Sequence, residues 1–191
     1  YLSLMSGLAT GAEKVYLNEE GITLAGLAAD SERMVESFRS GRSLYLVIRN
    51  ERASVNYTTD VLAHIFAEEG KGLYDVREAI LGHQQQGGSP TAFDRIMATK
   101  LVAHSLELLA CALKRGEPTA SYVGLMGGKV SDQPLDRMND DLDRDHRRPR
   151  HQWWLGLRPA VGLVSQDIGT LTLQDVPDFG EAVDDAASDQ R

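Results

Sequence analysis

The run Leu44-Tyr45-Leu46-Val47-Ile48 restricts the fold more than any other feature of this chain. A strand with one wet face alternates apolar and polar residues, whereas an unbroken apolar run is expected of a strand covered on both faces. Helices supply such cover, so the run asks for an α/β layer structure. The flanking sequence agrees. Thr23 to Arg39 carries helical spacing in Leu24, Leu27, Met34, Val35 and Phe38, with Gly41 as a fitting stop. Tyr57 to Glu69 places Val61, Leu62, Ile65 and Phe66 on one side, with Gly70 after it. Lys14-Val15-Tyr16-Leu17 is a second, shorter strand candidate. Ahead of it, Tyr1 to Ala12 is small and apolar and reads as the end of a buried helix.

Further on, Val76 to Leu81 reads as extended, and Gly87-Gly88-Ser89-Pro90 as a turn. A long helix is expected from Pro90 to about Lys114, its apolar face including Phe93, Met97, Leu101 and Leu109. Ser121 to Met126 is a strand candidate. Trp153, Trp154, Leu157, Val161 and Val164 suggest a last amphipathic helix over Gln152 to Val164. The expectation is therefore an α/β fold with a largely parallel sheet flanked by helices, incomplete at its amino-terminal side, over residues 1–165. Residues 166–191 are acidic and poor in large apolar groups and are expected to form a disordered tail. No internal repeat is visible.

Composition narrows the function classes. The chain has 191 residues, 42% apolar and 25% charged, as in an ordinary globular protein. A formal net charge of −8 argues against general nucleic-acid binding while permitting a local anion pocket. No unbroken apolar stretch of about 18 residues occurs, so no membrane span is expected. Tyr1 to Gly7 lacks the basic lead of a secretory signal, and a first residue other than Met fits a processed or truncated chain. A single cysteine, Cys111, excludes an internal disulfide and a multi-cysteine metal site, which makes a cytoplasmic home the default.

The segment richest in chemistry is Gly82-His83-Gln84-Gln85-Gln86-Gly87-Gly88-Ser89-Pro90. Its glycines allow backbone to approach a ligand closely. Ser89 suits a helix N-cap and Pro90 the first helical position, so the segment would aim free N–H groups at an anion. His83 and Gln86 can donate hydrogen bonds to phosphate oxygens. By itself the segment is equally a structural loop leading into a capped helix.

The longer run decides between them. Gly82 through Lys100, GHQQQGGSPTAFDRIMATK, resembles a block of the phosphofructokinases. Val47-Ile48-Arg49-Asn50-Glu51, Asn56-Tyr57-Thr58-Thr59-Asp60, Glu68-Glu69-Gly70-Lys71-Gly72 and Gln152-Trp153-Trp154-Leu155-Gly156-Leu157-Arg158-Pro159 are similar, in order, to the carboxy-terminal half of the eukaryotic, double-length ATP-dependent 6-phosphofructokinases. The resemblance spans Tyr1 to about Val164.

The resemblance implies roles position by position. Glu51 matches a carboxylate that hydrogen-bonds sugar hydroxyls; without the resemblance it would be an exposed loop acid. Arg77 matches an arginine that reaches the sugar phosphate in a partner subunit's pocket, where the plain alternative is a surface ion pair. His83 and Gln86 match residues on the phosphate side of the pocket, and Gln84 and Gln85 lie between them. Arg147 matches another arginine of the effector pocket, although Arg144, Arg147, Arg148 and Arg150 stand among Asp140, Asp141, Asp143 and Asp145 in what is otherwise a solvated charge run. Asp94 and Arg95 also match, and read as helix structure. Catalytic halves of the family carry Arg where Gln86 stands. A neutral amide in place of a charged fork resembles the regulatory half, whose expected ligand is fructose 2,6-bisphosphate. Gln84 replaces a usually apolar residue and has no evident role.

ATP and magnesium are the cofactors the resemblance implies for a parent kinase. The chain contains no Gly-Gly-Asp-Gly-type loop and no Thr-Ile-Asp block, so no catalytic residue is expected within it and the segment alone is expected to be inactive. The expected partners are the amino-terminal catalytic half and other subunits of an oligomer. The rival expectation is a non-enzymatic sugar-phosphate-binding or structural module with the same fold.

Overall fold

The computed structural model describes residues 1–116 and 118–165. In chain order they form α1 (Leu2–Thr10), β1 (Lys14–Tyr16), α2 (Leu24–Arg39), β2 (Val47–Arg49), α3 (Thr59–Gly70), a 3-10 turn (Gly82–Gln86), α4 (Ala92–Arg115), β3 (Ser121–Met126) and β4 (Lys129–Pro134). A 3-10 turn (Leu135–Arg137), α5 (Met138–Asp141), β5 (Leu142–Asp143), β6 (Arg148–Pro149), a third 3-10 turn (Trp153–Leu157) and α6 (Arg158–Val164) follow. The described residues divide into two compact units, the first holding residues 1–82 and 154–165 and the second 83–153. The acidic segment 166–191 lies outside the described residues.

The first unit is a small α/β sandwich. β1 and β2 pair in parallel, with Lys14 opposite Val47, Val15 opposite Ile48 and Tyr16 opposite Arg49. The ladder continues beyond both ends, Lys14 N–H donating to the Leu46 carbonyl and Asn50 N–H to that of Tyr16. Strand residues alternate between faces, and the core divides accordingly. Tyr16, Tyr45 and Val47 pack with Leu27, Met34, Leu62 and Phe66 of α2 and α3. Val15, Leu17, Leu46 and Ile48 pack with Leu4 of α1 and Val161 of α6. The apolar run is thus explained by cover on both faces, although only Val47–Arg49 forms a regular strand and Leu44 is exposed.

Local chemistry fixes the helix ends. Thr23 caps α2 by accepting from Gly26 N–H, and Thr58 caps α3 by accepting from Val61 N–H. Gly70 does not stop α3 from outside, as its position suggests, but is the helix's last residue. A Cβ there would stand 2.7 Å from Cζ of Tyr74, whose hydroxyl donates to the Phe66 carbonyl. Lys71 takes the left-handed capping position instead, at φ 48°.

A buried polar node joins sheet to helix. Asp30 of α2 is 2% exposed, and its carboxylate accepts from the Tyr16 hydroxyl at 2.7 Å, pairs with Lys14 Nζ at 3.0 Å and takes the Arg33 guanidinium. Burial first, then the hydrogen bond and negative charge of Asp30, hold the Tyr16 hydroxyl far above the usual tyrosine range.

In the second unit, α4 lies on the β3–β4 hairpin, an antiparallel pair turning through Gly127 and Gly128, both at positive φ. Such a two-residue Gly-Gly turn is a hairpin signal. Met97, Leu101, His104, Leu108 and Ala112, spaced three and four apart, are the half-buried stripe of α4. His104 Nε2 lies 2.9 Å from Asp132 Oδ1 of β4. Phe93 and Leu109, expected on the buried face, are instead 68% and 55% exposed. α4 is also long and apolar enough on average to cross a membrane, judged by length and composition alone. Counting only unbroken apolar runs misses this, because Lys100 and Glu107 interrupt the helix without lowering its mean much.

Candidate functional site

The expected start of α4 is displaced in the structure. Thr91, not Ser89, is the N-cap, and Ala92, not Pro90, is the first helical residue. The cause is a capping box: Asp94 N–H donates to the Thr91 hydroxyl oxygen, while the Asp94 carboxylate accepts from both Thr91 N–H and Thr91 O–H at 2.7 Å. The Arg95 guanidinium donates to the Pro90 carbonyl at 2.6 Å. Asp94 and Arg95 therefore serve helix structure, as expected, and Gly87 to Pro90 form a lead-in outside the helix.

Before that lead-in, Gly82–Gln86 forms a 3-10 turn bracketed by Gly82 at φ 51° and Gly87 at φ 81°. These angles favour glycine at both ends. Gly87 N–H closes the turn on the Gln84 carbonyl at 3.0 Å. His83, Gln84, Gln85 and Gln86 are exposed, and among the described residues none of their side chains makes a hydrogen bond.

Glu51 occupies a different setting, a turn over residues 50–57 that leaves β2 and enters α3. Asn50 N–H ties its near limb to Tyr16 of β1 at 2.9 Å. The Asn50 side-chain oxygen accepts from Arg52 N–H, and the Asn50 carbonyl from Ala53 N–H. Ala53 is buried, and Ser54 Oγ accepts from the amides of Asn56 and Tyr57. Arg49, which sequence reasoning left without a role, bonds across the turn: Nε donates to the Tyr57 carbonyl at 2.9 Å and Nη2 to the Ser54 carbonyl at 2.5 Å. Glu51 itself projects into solvent.

Arg77 follows Tyr74 and Val76, which pack on the first unit's core, in a stretch without regular structure. It was expected to be extended and is exposed. Arg147 lies in the loop between β5 and β6 at φ 54°, a left-handed conformation uncommon for a non-glycine residue. Asp143 organises that loop. Its carboxylate accepts from His146 N–H at 3.2 Å, lies 2.7 Å from His146 Nδ1 and pairs with Arg148. The backbone hydrogen bond from His146 is foremost in holding Asp143 below the usual carboxylate range.

The seven expected residues divide between the units: Glu51 and Arg77 in the first, His83, Gln84, Gln85, Gln86 and Arg147 in the second. All seven are exposed. An open cleft of about 430 Å³ beside α4, lined by Met97, Lys100, His104, Glu107 and Leu125 among others, includes none of them. Among the described residues no three His, Cys, Asp or Glu side chains gather into one cluster.

The family model for phosphofructokinase matches residues 1–109, more than half of the chain, including the Glu51 turn and the His83–Gln86 turn. The chain belongs to the phosphofructokinase family. It is 38% identical over 176 residues to the muscle-type ATP-dependent 6-phosphofructokinase of Canis lupus familiaris, covering 87% of this chain and 22% of that protein. To the ATP-dependent 6-phosphofructokinase of Dictyostelium discoideum it is 41% identical over 177 residues, covering 92% and 21%. The phosphofructokinase structure from Saccharomyces cerevisiae superposes with a TM-score of 0.78 at 32% identity, over 85% of this chain and 23% of that one. The chain thus spans about a fifth of the length of these relatives. With the family shown, the α/β architecture is that of a phosphofructokinase, and the expected parallel pairing is realised in β1 and β2.

Proposed function

We propose that this chain is part of an ATP-dependent 6-phosphofructokinase, the cytoplasmic glycolytic kinase that moves the ATP γ-phosphate to O1 of fructose 6-phosphate. In this reading it belongs to the carboxy-terminal half of the subunit and forms one wall of an allosteric pocket for fructose 2,6-bisphosphate. ATP and magnesium are then held by the amino-terminal half. The observation that carries the reading is the turn Gly82–Gln86. It belongs to the family-matched region, its side chains are exposed, and no hydrogen bond within the described residues uses their donors. Such donors suit phosphate oxygens, and the neutral Gln86 at the position of a catalytic arginine favours an effector over a substrate. Arg77 serves a neighbouring subunit's pocket in the same reading, and Arg147 adds the charge that Gln86 lacks.

The test is calorimetric titration of the full-length protein with fructose 2,6-bisphosphate. A hydrogen bond to a charged group contributes about 1.5–3 kcal/mol. At about 1.4 kcal/mol per tenfold, His83→Ala and Arg147→Ala should each weaken binding tenfold or more. Unchanged affinity in both variants, with the fold intact by circular dichroism, removes the effector pocket from this chain. An unmodified protein that binds the bisphosphate but never phosphorylates fructose 6-phosphate would support the non-enzymatic module instead.

A further inference from the structure

Glu51 stands on an exposed turn without a side-chain partner of its own among the described residues, yet a carboxylate that reads sugar hydroxyls has to be held in one place. We propose that Arg49 is the positioning residue of the Glu51 turn, its guanidinium clamping the far limb so that Glu51 meets its ligand at fixed geometry; this rests on the reading of Glu51 as a sugar-binding residue.

The geometry is specific to arginine. Arg49 is the last residue of β2, held in the ladder opposite Tyr16, so its backbone is part of the sheet. Its half-buried side chain reaches forward and donates from two different nitrogens to two carbonyls, those of Ser54 and Tyr57. The Tyr57 contact closes the neck of the turn, joining the strand that enters it to the segment that leaves it for α3, and the Ser54 contact fastens its middle. A guanidinium presents its donors in a rigid plane and can hold both carbonyls at once. A lysine ammonium on a flexible stem holds one well.

Among the described residues no carboxylate pairs with Arg49. Its visible partners are neutral carbonyls, so the residue is placed for the shape of its fork. The other restraints leave this task open. Asn50 N–H fixes only the near limb, and the Asn50 and Ser54 side chains bond within the turn without tying it to β2. Without the guanidinium the far limb depends on the burial of Ala53 in the core, the packing of Tyr57 and the cap of α3.

The experiment is a double-mutant cycle in the full-length protein, titrated calorimetrically with fructose 2,6-bisphosphate, using Glu51→Gln, Arg49→Lys and the double variant. Amide hydrogen exchange over residues 50–57 is followed in parallel. If Arg49 acts through Glu51, Glu51→Gln and Arg49→Lys each weaken binding about tenfold and the double variant is no weaker than Glu51→Gln alone. Exchange at Ala53, Asn56 and Tyr57 should accelerate in Arg49→Lys while the β1 and β2 amides stay protected. Affinity lost in Glu51→Gln but kept in Arg49→Lys overturns the positioning role and leaves the reading of Glu51 standing. Losses that multiply in the double variant also overturn it, since Arg49 then acts independently. Unchanged affinity in Glu51→Gln refutes the reading of Glu51, and the positioning role with it. Arg49→Met, a harsher variant, should weaken binding no more than Glu51→Gln does. Arg49→Lys carries the test if the Met variant does not fold.

Discussion

Substituting Tyr16 by Phe isolates one hydroxyl at the junction of sheet and helix. The ring is 4% exposed and remains after the change, so apolar burial is kept. What goes is the hydrogen bond from the hydroxyl to Asp30 Oδ2 at 2.7 Å. A hydrogen bond to a charged group contributes about 1.5–3 kcal/mol. Asp30 keeps Lys14 at 3.0 Å and Arg33, so its carboxylate is not stranded, and the lower part of that range applies, about 1.5–2 kcal/mol. In a unit of this size 1 kcal/mol moves the melting temperature by about 4–8 °C. Tyr16→Phe should therefore melt roughly 6–16 °C lower when unfolding is followed by exchange of the β1 and β2 amides. The pH dependence supplies a second reading. Tyr16 has its hydroxyl pKa raised in the folded state from an ordinary 10.0, so its contribution is complete below pH 10.0 and is lost as the pH rises above it. Above pH 10.0 the wild-type protein should lose stability more steeply than Tyr16→Phe, by about 1.4 kcal/mol per pH unit for the one proton concerned. Tyr45 and Tyr74, shifted in the same direction mainly by burial, leave a residual slope in both proteins. A melting temperature within 1–2 °C of wild type, roughly the shift of a quarter of a kcal/mol, together with parallel alkaline slopes would refute the idea that this hydroxyl holds the node together.

Gly7→Ala should destabilise the first unit by about 1–3 kcal/mol despite the better helix propensity of alanine, because its Cβ would stand 2.4 Å from Cγ2 of the fully buried Val15. In chemical denaturation, adding Val15→Ala to Gly7→Ala should cost less than Val15→Ala costs in the wild type, and plain additivity would refute the clash. At the other capping site, the Thr91 hydroxyl first and then Thr91 N–H hold Asp94 below its ordinary 3.8, so its stabilisation of the start of α4 is present above pH 3.8 and is lost as the pH falls through the lower folded value. Nuclear magnetic resonance of the Thr91 and Asp94 amides should show that first turn loosening in acid, a transition that Asp94→Asn should lack.

The fold was legible where a residue pattern has one physical cause. Leu44 to Ile48 announced a doubly covered strand because successive side chains enter two apolar layers, Tyr45 and Val47 in one, Leu46 and Ile48 in the other. The helices after Thr23 and Tyr57 showed in their apolar spacing, whereas the hydroxyls of Thr23 and Thr58 that cap them drew no reading. At α4 two signals competed. Ser89-Pro90 is a good helix opening by residue type, but Thr91 with Asp94 three residues later forms a reciprocal pair, and two mutual bonds outweigh one cap and a preset φ. The β4 strand was missed although Met126-Gly127-Gly128-Lys129 carries its signal, a Gly-Gly turn with both residues at positive φ. Polar residues such as Ser131, Asp132 and Gln133 hid the strand, since a half-buried hairpin does not need an apolar run.

The candidate site was named on different grounds. Glu51, His83 and Gln86 could be named from family blocks, whereas Arg49 lay inside one of those blocks and went unassigned. Spacing explains the difference. A residue that touches a ligand is marked by its chemistry in a loop, but a residue that holds a loop is marked only by the carbonyls it reaches, and carbonyls carry no sequence signature. An arginine at the end of a strand is, in one dimension, an exposed cation. In three dimensions its Nε and Nη2 find Tyr57 and Ser54 across the turn, which turns a surface charge into a fastening. Arg147 shows the converse. Its charge run reads as solvated surface, the structure leaves the side chain exposed, and only its left-handed backbone at φ 54° sets it apart from its neighbours. Lys71 takes the same conformation at φ 48° as the cap of α3, so a left-handed backbone marks local geometry and not by itself a ligand contact.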